Sequence, residues 1–122
     1  MTVSQVAARL VALCTQNEFV QAQGELYADD ILRIETDGTP TQGKEKTLAF
    51  EKKFLSMLTS VQCSMTEPQI AGDYFTTVMS VDLVFANGQP SQSSEICVYK
   101  VESGKIVFEQ FFRSPQPVRP AL

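Results

Sequence analysis

Histidine is absent from all 122 positions of the chain. That absence excludes Ser-His-Asp and Cys-His nucleophilic catalysis, histidine general bases and the usual zinc sites, each of which needs an imidazole. Cysteine is scarce. Cys14, Cys63 and Cys97 are an odd number at wide spacing, with no Cys-x-x-Cys pair. They are expected to be small buried apolar residues in a reducing compartment. No apolar run approaches the roughly 20 residues that span a bilayer. The opening stretch MTVSQVAARLVALC has only Arg9 as a positive charge, so it lacks the basic flank of a signal peptide and reads as a helix. The expected compartment is the cytoplasm. Basic residues are few, 10 against 14 acidic ones, for a net charge of −4. The pairs Lys44/Lys46 and Lys52/Lys53 are offset by Glu45 and Glu51. This argues against a nucleic-acid partner and against a polybasic membrane anchor. No metal and no cofactor is expected.

What is present is enough for a core. Hydrophobic residues make up 43% and charged residues 20%, and 122 residues suit one domain. Val3, Val6, Ala7, Leu10, Val11 and Cys14 recur at i, i+3, i+4 spacing, which predicts an amphipathic helix over 3–14. Thr2 and Gln5 fit a capping box at its start. QNEFVQAQGELYA reads as a second helix after a break near Thr15–Asn17, with Tyr27 near its end and Asp29–Asp30 terminating it. Residues 31–36 alternate as a short strand, and DGTPTQG is dense in turn formers. KEKTLAFEKKFLSML predicts a third helix, with Phe50, Phe54, Met57 and Leu58 on one face. Gly43 stands at its N-cap and Glu45 in its first turn, where the helix dipole favours an anion.

From Val61 the period becomes two, and Pro68 confines that strand to an edge or marks a bulge. In DYFTTVMSVDLVFANG, Phe75, Thr77, Met79, Val81, Leu83 and Phe85 share one face. Tyr74, Thr76, Val78, Ser80, Asp82 and Val84 share the other. Strands over 92–102 and 106–113, joined at ESGK, complete an antiparallel meander. Helices segregated onto one face of a curved antiparallel sheet make an α+β fold. The domain is expected over 1–114, with the proline-rich SPQPVRPAL leading into an extended tail at 115–122.

The helical pair leading into LYADDILRIETDGTPTQGKE, and the closing YKVESGKIVFEQFFRS, resemble the nuclear transport factor 2-like superfamily and, within it, the SnoaL-like branch. The resemblance covers roughly residues 3–114. It implies a cone, the cystatin-like α+β barrel, in which the sheet wraps around three helices and leaves a pocket at the open end. Members include Δ5-3-ketosteroid isomerases, polyketide cyclases, limonene epoxide hydrolase, dehydratases and non-catalytic binding proteins. They commonly dimerise across the outer sheet face. The resemblance therefore implies where a pocket lies, not what it does.

Alignment on ADD places the isomerase base at Glu35. The isomerase tyrosine falls on or near Val11, and its protonated aspartate near Cys97. Both oxyanion donors are thus missing, and with them the largest catalytic contribution, so steroid isomerisation is not expected. Glu95, Cys97, Tyr99 and Val101 share one strand face. If Cys97 meets the pocket, then Glu95 and Tyr99 do as well. The catalytic candidates are Glu35 as base, Glu95 and Tyr99. The ligand-binding candidates are Tyr27, Arg33, Phe54, Cys97 and Glu109.

Each has a plainer alternative. Glu35 suits a solvated strand residue paired with Arg33 or Lys44, with Leu32 and Ile34 facing the core. Glu95 suits a surface cross-strand pair, and the two tyrosines suit partly buried core positions. Burying Arg33 and Glu35 together is expensive unless the ions meet each other or a ligand. Three functions stay open. One is binding of a small apolar molecule. The second is a cofactor-independent isomerase, cyclase, dehydratase or hydrolase. The third is an interaction module whose cone is filled by Phe50, Phe54, Met57 and Met79. A homodimer is expected through the half-apolar outer face carrying Tyr74, Val78 and Val84.

Overall fold

The computed structural model of the protein describes residues 1–114; the expected tail at 115–122 lies outside the described residues. Helix α1 (Val3–Thr15) starts at the capping box. Thr2 Oγ1 accepts from the Gln5 amide at 3.1 Å, and the Thr2 amide donates to Gln5 Oε1 at 2.9 Å. The break falls at Asn17, whose φ is 63°, and α2 follows as Phe19–Leu26. Strand β1 is Tyr27–Ile34 and β2 is Pro40–Gln42. Helix α3 is Lys44–Ser56, capped at Gly43. Strands β3 (Leu58–Met65), β4 (Gln69–Ala71), β5 (Tyr74–Phe85), β6 (Pro90–Glu102) and β7 (Lys105–Phe112) complete the chain.

The sheet order is β2-β1-β7-β6-β5-β3, with β4 added on β5. The expected antiparallel meander β5–β6–β7 is present. The β1–β7 pair is parallel, so the sheet is mixed. Parallel neighbours need a long crossover, and here α3 and five strands supply it. The short strands β2 and β4 were not legible: three residues carry too little alternation to stand out from the turns around them.

Two local expectations are corrected. Tyr27 does not end the second helix; it opens β1, paired with Ile106. Asp29 and Asp30 do not terminate a helix but sit exposed in a bulge of β1. Between the pairs Tyr27–Ile106 and Leu32–Phe108, β1 advances five residues while β7 advances two. The extra backbone is tied down locally: the Gly43 amide donates to the Ile31 carbonyl at 2.7 Å and Gln42 Nε2 to the Asp30 carbonyl at 2.6 Å. Gly43 makes that contact at φ 101°, where a side chain would be strained.

The core lies between the concave sheet face and the first two helices. Val6, Ala7, Leu10 and Leu13 from α1 and Phe19, Ala22 and Leu26 from α2 meet Phe75, Cys97, Tyr99, Val101, Ile106 and Phe111. Helix α3 contributes far less: only Thr47 is buried, while Phe50 and Met57 are exposed. The apolar face foreseen there borders an opening and not a solid core.

Candidate functional site

Ile31 is buried, and Arg33 and Glu35 follow it on the same strand face. Leu32 and Ile34 therefore turn to the outer side of the sheet. This places a cation and a carboxylate inside the cone, in a cavity of about 230 Å³. From the helices it is lined by Leu10, Cys14, Phe19, Gln23, Phe50, Glu51 and Phe54. From the sheet it is lined by Tyr27, Arg33, Glu35, Met79, Leu83, Glu95, Tyr99, Phe111 and Arg113. A larger but shallower depression of about 590 Å³ crosses β3, β5 and β6. Its lining, including Gln62, Ser64, Ser80 and Ser94, has no aromatic wall, so we read it as surface relief.

The two half-buried ions do find each other. Arg33 Nε lies 3.1 Å from Glu35 Oε1 and 3.2 Å from Glu109 Oε1. Glu109 is fully buried, and the Tyr27 hydroxyl donates to its other oxygen. The guanidinium carbon lies 4.8 Å from the Phe111 ring centre and 5.7 Å from that of Phe50, within cation–π range. Arg33 thus links the cavity to a carboxylate behind its wall. Burial pushes the Glu109 carboxyl up to about 7, and the Arg33 charge and Tyr27 hydroxyl only partly offset it. Burial, reinforced by Glu109, holds the Tyr27 phenol well above its ordinary range, so it stays a donor. Burial does the same to Tyr99.

Two further carboxyls face the cavity. Burial raises Glu51, with Arg33 opposing. Burial likewise raises Glu95, with Arg113 and Arg33 opposing. Burial pushes the Cys14 thiol up to about 12 and Cys63 up to about 11. Neither is a ready thiolate.

Of the sequence candidates, Tyr27, Arg33, Glu35, Phe54, Glu95 and Tyr99 meet at the cavity. Cys97 and Glu109 do not line it. Cys97 is packed in the core, and Glu109 is covered by Arg33 and Tyr27. Glu51 was missed because it read only as a counter-charge to its lysines. Its signal was helical spacing: Thr47, Glu51 and Phe54 fall at i, i+4, i+7, on the one side of α3 that carries a buried residue. The positions matching the isomerase oxyanion donors, Val11 and Cys97, both lie outside the lining.

No curated protein matches the chain. Among solved structures, it is similar to a Mesorhizobium loti protein described as a SnoaL-like polyketide cyclase. The two share 27% identity and a TM-score of 0.80, over 92% of this chain and 99% of that one. It is similar in fold to TerC, co-crystallised with polyporic acid, at 10% identity and TM-score 0.75 over 90% of this chain and 89% of that one. It also resembles a Catenulispora acidiphila protein with a ketosteroid isomerase-like fold in complex with trimethylamine. There the identity is 17% and the TM-score 0.70, over 88% of this chain and 83% of that one. The family model for the SnoaL-like domain matches residues 1–113, nearly the whole chain, and the protein belongs to that family.

Proposed function

We propose that the protein binds a small, largely apolar molecule in its cone. The supporting observation is that the cavity stays open although Phe50, Phe54 and Met79 surround it; the filled-cone reading loses its main support. At about 230 Å³, the space lies just below the common range of roughly 300–1,000 Å³ for ligand sites, so it suits a single-ring molecule. Two fold neighbours were obtained with small molecules as different as polyporic acid and trimethylamine, which supports small-molecule binding on this fold but not one ligand chemistry. Single-ring probes such as benzyl alcohol or p-cresol are expected to show saturation transfer by NMR. Met79→Trp, which fills the cavity, should abolish it. Equal transfer in both proteins would sink the reading.

A second reading is cofactor-independent acid–base chemistry, an isomerisation, cyclisation, dehydration or hydrolysis. It is favoured by the Glu95 carboxyl, raised by burial and facing the cavity. Glu35 is tied to Arg33 at 3.1 Å, which makes Glu95 the better proton carrier. With an enolisable single-ring ketone as substrate, Glu95→Gln is expected to lower kcat by about 10²–10⁴. Undiminished turnover would exclude that role.

We further propose a homodimer through the outer sheet face. Val78, Ile96 and Phe112 stand in register on adjacent strands and are 39%, 50% and 47% exposed. An exposed apolar row of this kind marks an interaction surface. Ile96→Lys should convert a dimer to a monomer in light scattering, with the cone intact by circular dichroism. A monomeric wild type would refute the proposal.

A further inference from the structure

The cavity has more negative than positive groups, and they are unevenly matched. Its lining holds Arg33 and Arg113 against Glu35, Glu51 and Glu95, with Glu109 directly behind Arg33. Arg33 is already shared by Glu35 and Glu109. Glu51 and Glu95 are half-buried and feel Arg33, with the exposed Arg113 acting on Glu95 as well, but neither has an ion-pair partner of its own among the described residues. Exposed cations are strongly screened, and half-buried anions are much less so. A neutral apolar ligand would remove water from these two carboxylates, and an anion would add repulsion.

The walls carry the complementary feature. Phe50, Phe54 and Phe111 line the cavity. Two of these rings already accept a cation, since the Arg33 guanidinium lies 5.7 Å from the Phe50 ring centre and 4.8 Å from that of Phe111. Phe50 is 56% exposed, so ring surface is left over. Gln23 adds a third observation. It is 5% exposed and lines the same cavity, and its Oε1 has no hydrogen-bond partner among the described residues. A buried amide oxygen left unpaired calls for an N–H or O–H donor.

We infer that the ligand of the cone carries a protonated amine on its apolar frame, held by Glu51 and Glu95 against the aromatic wall, with Gln23 accepting one N–H. This rests on the cone being a binding chamber and names the class of molecule it takes. The test is calorimetric titration of the full chain at pH 7 with three probes of one shape: benzylamine, benzyl alcohol and benzoate. Benzylamine is expected to bind about 10-fold or more tightly than benzyl alcohol, and benzoate not at all. In Glu51→Gln, and separately in Glu95→Gln, the amine-to-alcohol ratio should fall toward one. A drop in either variant supports the assignment. If the alcohol binds as tightly as the amine, or if both variants keep the full ratio, the amine inference is overturned while the binding chamber stands. If no probe binds, the chamber reading falls with it.

Discussion

Arg33→Met is expected to destabilise the protein by a penalty that is smallest at pH 5 and grows by up to about 1.4 kcal/mol for each pH unit above about 7, because a buried partner charge is then stranded. The stranded charge is Glu109, fully buried with Arg33 Nε at 3.2 Å. Its carboxyl titrates near 7 in the folded protein against an ordinary 4.5. A carboxyl raised on folding binds its proton more tightly in the native state. Its contribution to stability is therefore fully present below pH 4.5 and is lost as pH rises through about 7. In the wild type that loss is on the order of 3 kcal/mol. Without Arg33 the carboxyl moves higher still, so the variant keeps losing stability beyond the point where the wild type levels off. Urea midpoints at pH 5, 7 and 9 measure this. Glu51 and Glu95 are also held down by Arg33, so its removal raises them too and adds to the same pH trend; Glu109→Gln separates the buried partner from them. A penalty equal at all three pH values would falsify the assignment of Glu109 as the stranded partner. Glu109→Gln should flatten the wild-type curve in the same window.

The second large effect is expected at Phe75. Its ring is 1% exposed and stacks on Tyr99 with centres 4.7 Å apart. Phe75→Ala should cost about 3–5 kcal/mol, through lost burial and the cavity left behind. Tyr99 lines the ligand chamber, so the same change frees one wall and should weaken probe binding as well. Phe112→Ala, on the exposed outer face, serves as the comparison and should cost under about 1 kcal/mol in a monomer. Similar urea midpoints for the two variants would show that the core is not centred where the packing puts it.

Much of this arrangement was legible from local pattern. The 3.6-residue period and the Thr2–Gln5 box marked α1, and period-two alternation assigned the inner residues of β5 and β6. Glu95 and Tyr99 were brought to the cavity by that alternation together with the place the resemblance gave Cys97, which itself stays in the core. What stayed hidden depends on partners distant in sequence. Residues 27–30 read as a helix end because their strand character comes from pairing with β7. The same pairing places Arg33 opposite Glu109, and no spacing within either segment announces it. Glu35 could be assigned to either face, since a slip of one residue reverses a strand. The bulge before Leu32 is what fixes the choice. The exposure of Phe50 follows from α3 bordering an opening, which amphipathic spacing cannot distinguish from a core.

The parallel β1–β7 pair also sets the order in which the molecule can be assembled. The β5–β6–β7 meander closes through short turns, whereas Tyr27 and Glu109 are 82 residues apart. Closing so long a loop costs entropy before any contact repays it, and such contacts slow folding. On the ribosome, Arg33 and Tyr27 emerge early and wait for almost the entire remaining chain before their acceptor exists. Until then β1 has β2 alone beside it, and its other edge is open to pairing with another chain. The ionic seam behind the chamber is thus the last joint to close. A nascent chain interrupted before β7 would have a core in part but no chamber.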